Sequence, residues 1–165
     1  MAVDDDIVFL GRIPTFRVLG REAMRIIAIS AQPVQLQGGD QLFEEGEPAD
    51  GGYVVVYGSV ELKSLNDHEP GERAVARSGT LIGETALMVN TMRPATATAT
   101  ETTLLLKIPR NVFLRTLEGE PAAAVALRDM MAKRLISTLN DLDTVAPKFE
   151  AKEDDKASEE TESDT

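Results

Sequence analysis

"GETALMVNTMRPATATA", residues 83–99, carries a glycine and an acid at one end and an arginine near the other. An alternating Ala/Thr run begins directly after Pro94, and its period of two marks a half-buried strand. Arg93 is the only cation within the stretch. Two readings stand: a surface hairpin, or a loop that grips a negatively charged group. Pro94 bears on the second, because it removes a backbone N–H beside the arginine.

Upstream, "QLFEEGEPADGGYVVVYGSVELKS" (41–64) predicts a strand, a Gly/Pro-rich loop and a hairpin, with "YVVVY" and "VELKS" flanking Gly58-Ser59 as a tight turn. "PVQLQ" (33–37) alternates and predicts a strand, followed by a turn at "GGD" (38–40). Further back, "VLGREAMRIIAIS" (18–30) carries Met24, Ile26, Ile27 and Ile29 at mixed helical spacings and reads as a short amphipathic helix. A polar loop, "LNDHEPGE" (65–72), leads into "RAVAR". His68 in that loop has no partner at metal-ligand spacing.

Downstream, "ATATATETTLLLKI" (95–108) supplies two short strands with a turn near Glu101-Thr102. The period then changes. "PRNVFLRTLEGEP" (109–121) opens on a proline suited to a helix start and turns at Gly119. "AAAVALRDMMAKRLISTLNDL" (122–142) is a long helix rich in Ala, Leu and Met, where Met130 and Met131 serve packing. Helix, many short strands, then helices is an α+β order, which argues for a compact antiparallel β-sandwich or barrel closed by terminal helices. The expected division is a folded domain over 1–145 and an acidic, disordered tail over 146–165.

Composition narrows the function classes. The 165 residues are 42% hydrophobic, enough for a core, but only 4% aromatic, so that core is aliphatic. No cysteine is present, which excludes disulfides and thiolate chemistry. No apolar run approaches the ~18 residues of a transmembrane helix. The acidic "MAVDDDIVFLGR" start is unlike a signal peptide, and a cytoplasmic location is expected. Formal net charge is −11, of which −6 lies in residues 149–165. An acidic body with no basic stripe argues against a nucleic-acid partner.

These stretches together resemble the cyclic nucleotide-binding domain, the β-barrel module of catabolite-activator-type bacterial regulators, of regulatory subunits of cyclic-AMP-dependent kinase and of cyclic-nucleotide-gated channels. The resemblance covers about residues 8–142 and suggests a stand-alone, bacterial-like member. It implies an α+β fold in which an antiparallel β-roll or jelly-roll barrel is flanked by N- and C-terminal helices. "LGRIPTFRVLG" looks like the family's helical entry, "GDQLFEEGEPADGGYVVVYGSVEL" like its strand, loop and hairpin signature, and "IGETALMVNTMRPATATA" like its phosphate-binding cassette. The resemblance implies that Arg93 binds the cyclic phosphate and Glu84 accepts a ribose hydroxyl. It implies that Gly83 lets the backbone approach the sugar, Thr85 and Ala86 open the phosphate-facing turn with Ala86 giving its N–H, and Ala95 and Thr96 line the exit from the cassette.

The residue chemistry agrees. A guanidinium forms charge-assisted, potentially bidentate bonds to phosphate oxygens, whereas a carboxylate suits a hydroxyl that donates to it. In the family, the residue after the cassette arginine commonly gives its N–H to the phosphate; Pro94 gives none. A threonine there goes with cyclic GMP preference, so Pro94 points to cyclic AMP over cyclic GMP. No cofactor is expected beyond such a ligand. With one His, no Cys and no acid or Ser/His/Asp cluster, no catalytic machinery is evident. The expected function is a sensor that signals through its C-terminal helix to an unidentified protein partner. The alternative is a degenerate fold serving as an interaction module, for which Pro94 is the main argument.

Overall fold

A computed structural model describes residues 2–65 and 74–160, with side chains as far as Asp141. The polar loop with His68 and the last five residues lie outside it. The chain divides into two compact units, Met1–Ala124 and Val125–Thr165.

Among the described residues of the first unit, three short helices, α1 (Val3–Leu10), α2 (Pro14–Arg17) and α3 (Arg21–Ser30), precede ten strands. The opening acids Asp4, Asp5 and Asp6 occupy the first turn of α1, where carboxylates complement the helix dipole. In α3 the buried residues are Ala23, Met24, Ile27 and Ala28, while Ile26 and Ile29 face outward. The helix is amphipathic, as its mixed apolar spacings lead one to expect: Met24 and Ile27 point inward, Ile26 and Ile29 do not.

The strands are β1 (Gln32–Leu36), β2 (Gln41–Phe43), β3 (Pro48–Ala49), β4 (Gly51–Tyr57), β5 (Ser59–Lys63), β6 (Ala74–Arg77), β7 (Leu81–Ile82), β8 (Thr91–Met92), β9 (Thr96–Ala99) and β10 (Thr103–Pro109). Every pairing is antiparallel. They form one sheet in the order β1-β10-β4-β7, a second in the order β2-β9-β5-β6, and a small β3-β8 pair. Phe43, Tyr53, Val55, Val60, Ala97 and Leu105 form the core these strands enclose.

The hairpin expected at Gly58-Ser59 is absent. β4 and β5 belong to different sheets, and Gly58 is the corner where the chain changes sheet. The turn near Glu101-Thr102 is the matching corner between β9 and β10, because β4 pairs with β10 and β5 with β9. The two segments form one antiparallel ribbon folded over on itself. Gly58 sits at φ +87°, and a Cβ there would collide with the Thr103 hydroxyl and the Thr102 carbonyl. Buried Ser59 pins the fold-over, donating its hydroxyl to Glu101 Oε1 at 2.7 Å and its N–H to Thr103 Oγ1 at 3.2 Å.

After β10, α4 (Arg110–Glu118) starts one residue later than the proline predicted, with Pro109 as its N-cap. Phe113 of α4 meets Phe16 of α2 edge-on at 6.0 Å, and both rings are fully buried. α4 packs against α3, β4, β10 and the turn at Thr85–Leu87, and α3 also against β10.

α5 runs Pro121–Glu160, so residues 146–160, expected as disordered tail, continue the helix. Low apolar content suggested disorder, but "AKEDDKASEE" is rich in the helix formers Ala, Glu and Lys. Among its described side chains, Leu135, Ile136 and Leu139 are exposed. No described helix is long and apolar enough to cross a membrane.

Candidate functional site

Residues 83–96 fold as a glycine turn, a single 3-10 turn over Thr85–Leu87, the short strand β8 and a bend at Pro94 that enters β9. Gly83 adopts φ +77°, a conformation glycine tolerates and side chains resist. A Cβ at this position would stand 2.6 Å from Arg93 Nη1, so the turn and the arginine approach as closely as atoms allow. Gly83→Ala is expected to destabilise the protein by about 1–3 kcal/mol through backbone strain and the displaced guanidinium, read by urea titration. A loss below half a kcal/mol would show that the turn relaxes freely.

Arg93 is 4% exposed, although nothing else in the cassette carries positive charge. Its main chain is held on both sides: its N–H donates to the Glu47 carbonyl at 2.8 Å and its carbonyl accepts from Gly46 at 2.9 Å. The guanidinium lies over the Phe43 ring at 4.3 Å, with Tyr53 at 5.3 Å. Nη2 donates to the Gly51 carbonyl at 2.9 Å and lies 3.9 Å from the exposed carboxylate of Asp50. Nη1 has no hydrogen-bond partner.

A buried cation so sparsely bonded is held at a cost. Burial pushes the Arg93 guanidinium down from its ordinary value; Tyr53, Asp50 and Glu47 oppose that, and Arg110 adds to it by repulsion. Asp50 is instead drawn below the usual carboxylate value, first by its hydrogen bond from Lys107 at 2.7 Å. Its charge is therefore satisfied mainly by lysine, and Arg93 keeps most of its own.

Glu84, half-buried, accepts a hydrogen bond from the Thr15 hydroxyl of α2, itself buried. The Ala86 N–H is engaged by the Gly83 carbonyl at 3.1 Å, closing the turn. Thr85 and Pro94 are exposed, and Ala95 and Thr96 half-buried. The Thr96 hydroxyl accepts from the Glu45 N–H at 3.0 Å. The structure thus brings Gly83 and Arg93 together and sends the carboxylate of Glu84 to the N-terminal helices. Phe43, Asp50, Gly51 and Tyr53, which surround the guanidinium, had not been singled out. They lie some forty or more positions upstream, and no local pattern marks them as its partners. Among the described residues no group of three or more His, Asp or Glu could hold a metal.

The fold recurs in known proteins. The chain is similar, at 35% identity and TM-score 0.60, to a cyclic nucleotide-binding-like protein from Brucella abortus, over 70% of this chain and 99% of that one. It is also 35% identical, with TM-score 0.69, to the N-terminal domain of a transcriptional regulator from Streptomyces coelicolor, over 79% of this chain and 94% of that one. Likeness extends to a cAMP-bound structure of PfPKA-R, at 26% identity and TM-score 0.61, over 69% and 41% of the two chains. The chain spans only 32% of a Rhodopseudomonas palustris protein named for a potassium channel, and 7% of a fungal lysophospholipase, each of which it matches at under 30% identity. Residues 33–120, just over half the chain and inclusive of the whole cassette, match the cyclic nucleotide-binding domain. With the folded-over ribbon and the buried arginine beside its glycine turn, the chain belongs to the cyclic nucleotide-binding domain family.

Proposed function

We propose that this chain is a sensor that binds a cyclic nucleotide monophosphate, cyclic AMP in preference to cyclic GMP, and passes its bound state on through α5. The observation that carries the reading is Arg93, a buried guanidinium with an unpartnered Nη1 beside a glycine turn. A cyclic phosphate supplies the missing acceptor and a countercharge together. Glu84 accepts a ribose hydroxyl; a carboxylate has about four lone-pair sites, so Thr15 need not be displaced. Residues Gly83, Thr85 and Ala86 form the turn against the phosphate, and Pro94, Ala95 and Thr96 the wall beside it. No covalent step is involved. The liganded cyclic-AMP complex of PfPKA-R supports the choice of ligand class. Contact between α4 and the cassette turn supports a route to α5, which begins three residues after α4 ends.

Calorimetric titration with cyclic AMP and cyclic GMP tests this, together with thermal shift. A ligand at ~100 times its dissociation constant adds about 2.7 kcal/mol of stability if it binds only the folded state. No heat and no shift with either nucleotide would leave the interaction-module reading, which the engaged Ala86 N–H and the missing N–H of Pro94 favour.

Pro94 lends itself to a graded test. A hydrogen bond to a charged group is worth ~1.5–3 kcal/mol, so restoring an N–H with Pro94→Ala is expected to tighten cyclic AMP binding by roughly tenfold to a hundredfold. Lost preorganisation subtracts from this gain, but Arg93's main chain is already held by Gly46 and Glu47. Weaker binding by the variant would show that the ring's restriction of the backbone matters more than the donor.

A further inference from the structure

Arg110 opens α4, and a cation in a first helical turn has the wrong sign for the helix dipole. Its side chain is used elsewhere. Nη1 lies 2.7 Å from the Ala49 carbonyl and 3.2 Å from each of the Ala86 and Val89 carbonyls. The Ala86 carbonyl lies within the cassette's 3-10 turn and the Val89 carbonyl just beyond its C-cap, where a helical segment runs out of internal donors. The Ala49 carbonyl belongs to β3. One nitrogen therefore joins the cassette to the strand beside it.

The same tripeptide is gripped a second time. Arg110's own N–H donates to the Asp50 carbonyl at 2.8 Å, and Arg93 Nη2 to the Gly51 carbonyl at 2.9 Å. Three consecutive carbonyls, Ala49, Asp50 and Gly51, thus accept from two arginines, one inside the cassette and one outside it. The separation between the 3-10 turn and the Arg93 guanidinium is set by where both arginines hold this short segment. A cyclic phosphate must be met by the turn and the Arg93 guanidinium at once, and misplacement by an ångström weakens one set of contacts.

We propose that Arg110 is a positioning residue of the cyclic nucleotide site, clamping the Ala86–Val89 turn to Ala49–Gly51 so that the cassette is preformed around Arg93. This rests on the cyclic nucleotide reading for its ligand, but the clamp itself exists in the free protein. Arg110 touches no ligand atom in this scheme. Its effect on affinity comes from the ordering that binding would otherwise require.

The test compares wild type, Arg110→Ala and Arg110→Lys in the full chain. Lysine keeps the charge and offers three donors on one nitrogen, enough for three carbonyls. Arg110→Ala is expected to weaken cyclic AMP binding by roughly 10- to 100-fold, with Arg110→Lys restoring most of the loss. In the absence of ligand, amide hydrogen exchange at Leu87, Met88 and Val89 is expected to speed up in Arg110→Ala by roughly tenfold or more, while Val54 and Leu106 in the sheet stay protected. Unchanged exchange across the cassette would overturn the proposal, as would equal acceleration in cassette and sheet, which marks a general loss of stability. Should wild type bind neither cyclic AMP nor cyclic GMP, the ligand reading falls, and the exchange pattern alone decides whether Arg110 is the clamp.

Discussion

Arg93→Ala is expected to reduce affinity for cyclic AMP by roughly 100- to 4,000-fold, the equivalent of the ~3–5 kcal/mol lost when one partner of a buried charge pair is removed. The magnitude follows from burial. At 4% exposure the guanidinium is shielded from water, so the phosphate it meets loses its own hydration and depends on the cation in return. The free protein should behave differently. There the guanidinium has one hydrogen bond, to Gly51, a long ion pair with the exposed Asp50 and its stacking on Phe43 and Tyr53, against the desolvation of a whole charge. A desolvated cation–π contact returns about 2 kcal/mol, less than the several kcal/mol that burying an ion costs. The alanine variant should therefore unfold at a urea concentration no lower than wild type by more than a fraction of a molar. Arg93→Lys separates charge from geometry: it keeps the cation but not the planar fork, and should recover only part of the affinity. Calorimetry on the three proteins decides it. Undiminished binding by Arg93→Ala would remove the cassette from the account of function.

Phe113→Ala should have the largest effect on stability. The ring is fully buried against Phe16, and truncating a core phenylalanine costs about 3–5 kcal/mol. For a domain whose total stability is ~5–15 kcal/mol, that is a large share. At ~2–4 °C per kcal/mol for a chain of this size, the melting temperature should fall by roughly 6–20 °C. The damage should also reach the site. Phe16 is the neighbour of Thr15, whose hydroxyl holds Glu84, so loosening α2 frees the carboxylate proposed to meet the ribose. Ligand affinity should therefore drop even at temperatures where the variant stays folded. A melting temperature within a degree or two of wild type would show that α2 and α4 repack without cost.

How far such features can be read in advance depends on whether they are local. The Ala/Thr alternation of 95–99 and the apolar run of 104–106 identified β9 and β10 correctly, because burial on one or both faces writes itself into neighbouring residues. Gly58 was recognisable as a reversal, yet a hairpin and a change of sheet ask the same thing of the backbone there. What separates them is the pairing of Val54 with Leu106 and of Val60 with Ala99, residues far apart in the chain. α1 went unassigned because eight residues give barely two turns in which a period can show. Arg93 stood out as the cassette's one cation. Its position beneath Phe43 and Tyr53 did not, since those rings arrive from β2 and β4.

The ribbon folded at Gly58 also governs the order in which the protein can assemble. β10 is the inner strand between β1 and β4, pairing Val34 with Leu105 on one side and Val54 with Leu106 on the other. Contacts across such sequence distances are slow to form, and β-rich topologies of this kind fold in roughly milliseconds to seconds. During synthesis, β1 and the apolar β4 must wait with open edges until residues 103–109 have been made. Nascent chains halted before that point hold two strands with no partner between them, and these edges are where association with other unfinished chains begins.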